Sequence, residues 1–425
     1  MQDAEHYLAG AVAAAADAGA AHAQGIDPIA SAAVIGAGTM GAGIATALAN
    51  AGLAVTLIDA KQDALDRGLQ AIARNWDRAV ARGVIQEDEK RRRLALVSGS
   101  LDMAALAEAD VVVEAVWEQM ALKKSIFEIV DRHAKPGALL GTNTSTLDID
   151  EIAAVTARPQ DVIGLHFFSP AHVMKLLEVV RGAKTSEVSV ARALRLAKAI
   201  GKVAVAVGVC DGFVGNRILG AREAQARSLI LEGASPQQVD GVLVRFGFPM
   251  GSFEMQDMSG GVELLWRMRQ ATGEVEPVGD RLAELGRFGQ KAGKGYYRYG
   301  DDGRTPLPDP EVDAIIEEAS RKAGLTRRAI SDQEIEERLI LPMINEGARI
   351  LEEGVAARAS DIDVIWSYGY GWPKAKGGPM YYADQIGLRR VIDGLEALQR
   401  AHGDAFAPSA FLRALADDGK RFADA

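Results

Sequence analysis

A short apolar run, Ala32–Gly36, ends in Gly36-Ala37-Gly38-Thr39-Met40-Gly41 and leads straight into an apolar-periodic stretch, Met40–Ala51. Few folds are open to a strand that turns through G-x-G-x-x-G into a helix. Gly36 permits the tight turn, Gly38 lets the backbone approach a pyrophosphate, and Gly41 lets the helix pack on the strand while its N-terminus faces the negative charge. Asp59 follows at the end of the next β-branched run. It is placed to accept hydrogen bonds from a ribose diol and to repel a 2′-phosphate, which favours NAD over NADP.

The alternation continues along the chain. Strands are predicted at Ala32–Gly36, Ala54–Asp59, Leu94–Val97, Val111–Val116, Ala138–Thr142, Val162–Phe168, Leu176–Val180 and Val203–Val207, with helices such as Gln62–Arg82 and Lys123–His133 between them. That pattern predicts an α/β domain of the Rossmann type with parallel strands. After Gly212 the apolar spacing becomes helical, and Gly300–Pro310, rich in Gly, Asp and Pro, reads as a linker. The two helical pieces match each other. Arg217-Ile218-Leu219, Ile230–Gly233, Gly247–Met250 and Asp257 recur in order as Arg338-Leu339-Ile340, Leu351–Gly354, Gly371–Pro373 and Asp384. The expected layout is an Ala-rich leader or linker helix at 1–31, an NAD-binding domain at 32–209, an all-α domain at 210–305 and its degenerate repeat at 306–425, the last two related by duplication.

Composition narrows the function. A net charge of −10 argues against broad nucleic-acid or anionic-membrane binding, so an anionic ligand needs a local basic patch. The single cysteine, Cys210, excludes an internal disulfide and a thiolate-rich metal site, and it reads as a small apolar residue rather than a nucleophile. No metal is expected. The first basic side chain is Lys61, no apolar run reaches the length of a membrane helix, and the C-terminal Phe422-Ala423-Asp424-Ala425 is not a peroxisomal address. The expected compartment is cytoplasmic.

Chemistry concentrates in Gly141-Thr142-Asn143-Thr144-Ser145-Thr146-Leu147, after a buried strand, and in Gly164-Leu165-His166-Phe167-Phe168-Ser169-Pro170. Ligands of open α/β sheets bind outside the carboxyl ends of strands, where these hydroxyls and this imidazole stand. From local sequence alone His166 reads equally as a base or as a satisfied core histidine.

These motifs carry a resemblance. GAGTMG, NTSTL, GLHFFSPAHVMKLLEVVRG, GFVGNR, GFPMG and RFGQKAGKGYYRY, in this order, resemble the L-3-hydroxyacyl-CoA dehydrogenase family, especially the dehydrogenase half of multifunctional β-oxidation enzymes, over about residues 32 to 395. The resemblance implies oxidation of a (3S)-3-hydroxyacyl-CoA to the 3-ketoacyl-CoA with NAD as cofactor. It places the family's catalytic histidine on His166, its partner glutamate on Glu178, its serine on Ser145 and its asparagine on Asn216. Imidazole, with an ordinary pKa near ~6.5, suits the removal of the hydroxyl proton, and a carboxylate behind it orients the ring and stabilises the imidazolium. Ser145 and Asn216 supply neutral hydrogen-bonding groups at the reacting oxygen or the nicotinamide amide. The resemblance also implies cofactor contacts at Glu118, Lys123 and Lys291, and CoA contacts at Asn75, Arg82 and Ser145.

The local cations for CoA phosphates are visible. Arg74, Arg78 and Arg82 share one face of the helix after Asp59, and Lys90-Arg91-Arg92-Arg93 follow. Three residues depart from the common family pattern: Ser169 for Asn, Asp211 for Pro and Ser252 for Pro; Ser169 is shared with the peroxisomal-type branch. Multifunctional relatives place a hydratase domain before the dehydrogenase, whereas about thirty residues precede the first strand here, so hydration is expected to be absent and the chain reads as a free-standing module or part of a longer product. Implied partners are a hydratase or a thiolase, and the implied assembly is a monomer with an internal pseudo-dimer or a homodimer. Two other classes stay open: a catalytically silent acyl-CoA-binding scaffold, opposed by the intact His166, Glu178, Ser145 and Asn216, and a dehydrogenase of small free hydroxy acids, opposed by the arginine face.

Overall fold

The structure, a computed structural model, describes residues 2–19, 22, 25 and 28–424. Helix α1 (Gln2–Asp17) precedes an α/β domain built from β1 (Ser31–Ile35), α2 (Thr39–Asn50), β2 (Ala54–Ile58), α3 (Gln62–Ala81), α4 (Glu87–Leu94), β3 (Val97–Ser100), β4 (Val111–Glu114), α5 (Met120–His133), β5 (Leu139–Thr142), α6 (Ile149–Ala153), β6 (Val162–Phe167), β7 (Leu176–Arg181), α7 (Glu187–Ala199) and β8 (Val203–Gly208). The strands form one sheet in the order β3-β2-β1-β4-β5-β6-β7-β8. Chain order reverses at β1, between β2 and β4, which opens the crevice where nucleotides bind in such folds. Apolar side chains cover both faces, so strands such as β4 and β5 are buried throughout.

Two expectations for this domain change. The sheet is not wholly parallel: β7 runs antiparallel to β6, with His166 opposite Glu178. The connection 168–175 is too short for a crossover, which needs a dozen or more residues, so the chain returns as a hairpin. The predicted strand Leu94–Val97 is displaced to Val97–Ser100, because α4 extends to Leu94. Its first turn carries Glu87, Asp88 and Glu89 and its last Arg91, Arg92 and Arg93, a charge order that suits the helix dipole and pairs residues three and four apart.

The remainder is helical: α8 (Gly215–Glu232), α9 (Pro236–Phe246), α10 (Ser252–Ser259), α11 (Gly261–Thr272), α12 (Pro277–Glu284), then α13 (Pro310–Lys322), α14 (Asp332–Glu352), α15 (Ala359–Gly369), α16 (Pro379–Ile386), α17 (Leu388–His402) and α18 (Ala410–Asp417). The segment expected to be a linker is structured. β9 (Arg298–Tyr299) and β10 (Pro306–Leu307) form an antiparallel ribbon, and Asp309 at 2.7 Å and Glu311 at 2.8 Å both pair with the buried guanidinium of Arg287. The two long helices α8 and α14 pack on each other in the shared core, with Ile218, Ala226, Leu229 and Leu339, Met343, Ile344 among its buried residues.

The second helical unit is joined to the α/β sheet. Val207 of β8 bridges to Ala356, and the Gly208 N–H donates to the Val355 carbonyl at 2.7 Å. A Cβ on Gly369 would lie 2.4 Å from the Leu176 side chain, so the end of α15 rests directly on β7.

Candidate active site

The glycine loop has the shape its sequence predicts. Gly36 has φ +101, and a Cβ there would fall 2.6 Å from the Ala115 carbonyl. A Cβ on Gly41 would lie 1.8 Å from the Gly36 carbonyl oxygen. Gly38 differs: nothing lies within 4 Å of the place its Cβ would take. That open space fronts the N-terminus of α2, where among the described residues no side chain caps the first N–H groups, so it suits a pyrophosphate. Asp59, half-buried beside the loop, accepts from the Ala37 N–H at 2.9 Å and the Lys61 N–H at 3.1 Å. The donor set and the cradle fit NAD.

His166 and Glu178 meet as a cross-strand pair. Nδ1 of His166 lies 2.7 Å from Oε2 of Glu178, with the histidine 6% and the glutamate 0% exposed. The second carboxylate oxygen, Oε1, accepts from the Gly215 N–H at the start of α8, at 3.0 Å. Both oxygens are thus occupied, and among the described residues no hydrogen bond takes His166 Nε2. Phe168 at 4.4 Å and Phe213 at 5.6 Å, between ring centroids, flank the imidazole. Phe213 has φ +50, a conformation costly for an aromatic residue, held in the turn that launches α8.

Ser145 belongs to a hydroxyl-rich loop folded on Glu118. Oε1 of Glu118 accepts from Thr144 Oγ1 at 2.6 Å, the Ser145 N–H at 2.7 Å and Ser145 Oγ at 3.2 Å. Burial pushes the Glu118 carboxyl up, but Lys123 and these donors outweigh it and hold its pKa below the ordinary value. Asn216, in the first turn of α8, accepts from the Tyr370 hydroxyl at 2.8 Å.

The structure alters the expected roles of several residues. Lys123 does not stand as an exposed charge at a helix start: it is 0% exposed, with its ammonium at 2.8 Å and 2.9 Å from the oxygens of Glu114 and 3.3 Å from Glu118. Its ammonium is thus held between these two carboxylates rather than left open to a ligand. Lys291, on a short turn of the first helical unit, pairs with Glu263, and among the described residues no hydrogen bond or ion pair joins it to the α/β domain. The basic run after Arg82 is internally neutralised: Lys90 pairs with Asp77 at 2.7 Å, Arg93 with Glu89 at 2.7 Å, Arg91 with Asp88 and Arg92 with Glu89. By contrast Arg74, Arg78 and Arg82 make no side-chain hydrogen bond or ion pair among the described residues. Burial, then the charges of Lys202 and Arg78, push the His172 imidazole below its ordinary pKa, which places the arginine face beside the turn after β6. Asn75 is half-buried, its amide 3.4 Å from Thr46 of α2. Burial raises the pKa of the half-buried Cys210 thiol, as expected of an unreactive cysteine. Asp211 is exposed, and nothing in the structure explains its replacement of proline.

Four site residues escaped the sequence reading. Glu114 anchors Lys123 and accepts from Thr142 Oγ1 at 2.7 Å; an acid at the end of the apolar run Val111-Val112-Val113 was the signal available. Asn143 Oδ1 accepts from the Phe167 N–H at 2.9 Å, which fixes the backbone next to His166. Phe213, inside the GFVGNR motif, and Tyr370, which carries no local signal, close the aromatic wall.

Comparison with known proteins agrees with this fold. Residues 31–210 match the model of the 3-hydroxyacyl-CoA dehydrogenase NAD binding domain, and residues 212–299 and 335–422 both match that of the 3-hydroxyacyl-CoA dehydrogenase C-terminal domain. A peroxisomal bifunctional enzyme of Danio rerio is 44% identical over 416 residues, covering 92% of this chain and 56% of that protein. The chain thus spans about half the length of such relatives. A crystal structure of 3-hydroxybutyryl-CoA dehydrogenase from Escherichia coli, 28% identical, superimposes with a TM-score of 0.78 over 93% of this chain and 100% of that one. The dehydrogenase part of multifunctional enzyme 1 from C. elegans, 32% identical, does so with 0.67 over 91% of this chain and 90% of that one. The expectation of a cytoplasmic compartment is overturned, since the similar animal and plant relatives are named peroxisomal or glyoxysomal enzymes. Among the described residues no helix is long and apolar enough to cross a membrane.

Proposed function

Because the chain belongs to the 3-hydroxyacyl-CoA dehydrogenase family, we propose that it oxidises a (3S)-3-hydroxyacyl-CoA to the 3-ketoacyl-CoA with NAD, as in fatty-acid β-oxidation. The observation that carries this reading is the His166–Glu178 pair, 2.7 Å apart and buried at the carboxyl end of β6, with Nε2 left without a partner among the described residues. NAD held in this cradle would supply the acceptor for the hydride lost from substrate C3. His166 Nε2 takes the proton of the C3 hydroxyl, while Glu178 holds the other ring nitrogen protonated and balances the positive charge that develops. Asn216 and Ser145 face the oxygen as it changes from hydroxyl to carbonyl. Gly36, Gly38, Gly41 and Asp59 would hold the nucleotide, and Glu118, fixed by Lys123 on the chain that follows β4, is the proposed further contact.

The unpaired face of Arg74, Arg78 and Arg82 supports CoA phosphates as the anion for which this acidic chain needs local cations. Matching of one C-terminal domain model to both helical units supports a repeat and, with it, a monomer with an internal pseudo-dimer. The bifunctional names of the relatives support a second activity working with this one, and a hydratase or a thiolase remains the partner proposed for it. NADH formation tests the reading with (3S)-3-hydroxybutyryl-CoA, a long-chain analogue and the free acid. Turnover of the CoA esters but not the free acid is expected; turnover of the free acid alone, or of none, overturns it.

A further inference from the structure

One wall of the site is built by a residue of the second helical unit. Tyr370 follows the end of α15. Its ring stacks on Trp366 at 4.7 Å between centroids and meets Phe168 edge-on at 5.4 Å. It lies so close to the start of α8 that a Cβ on Gly215 would fall 2.3 Å from it. Gly215 is also the residue whose N–H holds Glu178, at 3.0 Å. Tyr370 therefore packs against a neighbour of each member of the catalytic pair, and its hydroxyl donates to Asn216 Oδ1 at 2.8 Å.

That hydrogen bond has a directional consequence. A carboxamide offers one acceptor oxygen and an N–H2 group with two donors. Occupation of Oδ1 by a phenol proton leaves the N–H2 of Asn216 as its open end, and among the described residues no hydrogen bond takes it. A C3 oxygen that is losing its proton to His166 becomes a pure acceptor and needs a donor opposite it. We propose that Tyr370 is a positioning residue of the oxidation: by donating to Asn216 Oδ1 it fixes the amide with its N–H2 group toward the substrate oxygen, so the second helical unit completes the site. This inference rests on the function proposed above.

The repeat provides an internal contrast. Tyr370 stands one residue before Gly371-Trp372-Pro373, and in the first unit the matching place before Gly247-Phe248-Pro249 holds Phe246. Phe246 packs edge-on against Trp372 at 5.2 Å and Tyr382 at 5.3 Å. The motif packs well without a hydroxyl; the hydroxyl occurs in the copy that faces the α/β domain. Burial and the charge of Glu178 also hold the Tyr370 phenol well above its ordinary pKa, so it keeps the proton it donates.

Steady-state kinetics with (3S)-3-hydroxybutyryl-CoA on wild type, Tyr370→Phe, Asn216→Ala and the double variant test the proposal. Phenylalanine keeps the ring and its packing. Loss of one oriented hydrogen bond is expected to lower kcat/KM for the acyl-CoA about tenfold, with KM for NAD and the pH profile unchanged and Tm lowered by no more than a few degrees. In the Asn216→Ala background, where no amide remains to be aimed, Tyr370→Phe is expected to change kcat/KM less than about twofold. A fully active Tyr370→Phe, or penalties that multiply in the double variant, overturns the inference and leaves the proposed function standing. A wild type inactive with this substrate overturns both.

Discussion

Glu178→Gln is the sharpest perturbation of the site, because the two residues have the same shape and differ in one acceptor. The Glu178 carboxylate serves two donors, His166 Nδ1 at 2.7 Å and the Gly215 N–H at 3.0 Å. A glutamine has one acceptor oxygen. The Gly215 N–H cannot become an acceptor, so it keeps the oxygen and the amide N–H2 turns toward His166 Nδ1. That nitrogen must then accept, which moves the ring proton to Nε2, the atom required to receive the substrate proton. Charge adds to the tautomer effect. Two unit charges ~4 Å apart at an effective dielectric of ~20 attract by about 4 kcal/mol, and loss of that support for the imidazolium costs about 10³-fold in rate. The expected result is a folded enzyme, with Tm near that of wild type, whose kcat for NADH formation from (3S)-3-hydroxybutyryl-CoA falls by about 10³ to 10⁴. Glu178→Asp, which keeps the charge at a longer reach, is expected to recover part of the rate. A folded Glu178→Gln variant within tenfold of wild-type kcat would refute the reasoning.

Asp59→Ala removes the negative charge at the end of β2 and is expected to lower the preference for NAD over NADP about five- to thirtyfold, since charge repulsion at an exposed ribose is worth ~1–2 kcal/mol; equal affinity ratios in variant and wild type refute the assignment. Arg78→Ala/Arg82→Ala is expected to raise KM for acyl-CoA about five- to tenfold, at ~0.5–1 kcal/mol for each partly screened contact, and to weaken its salt dependence; an unchanged KM marks a merely solvated helix face. Tyr7→Phe removes the hydroxyl that lies 2.7 Å from the buried Asp363 and is expected to cost about 1–3 kcal/mol, read as a lower Tm. Burial raises the Asp363 pKa to about 8, above its unfolded value near ~3.9, so the folded state holds the extra proton and this group's contribution to stability declines as pH rises from about 4 to about 8. Calorimetry of wild type and Asp363→Asn checks this: the asparagine variant should show the shallower fall in Tm over that range, and parallel profiles would refute it.

The sequence was most informative where chemistry depends on the local chain. Gly36, Gly38 and Gly41 each answer a separate local demand, and those demands can be read without knowing what packs above the loop. His166 and Glu178 were named through a resemblance, yet their pairing follows from a hairpin of fixed register. What the sequence hid is what long-range packing creates. Lys123 looks like a surface lysine until Glu114 and Glu118 close around it, and Lys90 to Arg93 look like a phosphate site until Asp77, Asp88 and Glu89 neutralise them. Tyr370 lies 154 positions from the asparagine it contacts, so no window of sequence joins them.

The helical units show why that distant contact is dependable. In the first unit Asp240 accepts from the Phe253 and Glu254 N–H groups at the start of α10 and from the Tyr297 hydroxyl at 2.7 Å. In the second, Asp363 accepts from the Met380 and Tyr381 N–H groups at the start of α16 and from the Tyr7 hydroxyl at 2.7 Å. A neighbouring pair sets the register: Asp257 accepts from the N–H groups of Tyr296 and Tyr297, as Asp384 does from those of Phe422 and Ala423. Ala423 therefore occupies the place of Tyr297 and has no hydroxyl to give, and α1 supplies it from the other end of the chain. A buried carboxyl group short of a hydrogen-bond partner costs the fold more than the hydrogen bond alone is worth, so α1 contributes to the second unit's core. Because α1 also packs on β8 and on α15, the same hydroxyl that satisfies Asp363 ties that unit to the sheet. Together with the Val207–Ala356 bridge and the Gly369–Leu176 contact, α1 holds α15 over β7, within reach of Asn216.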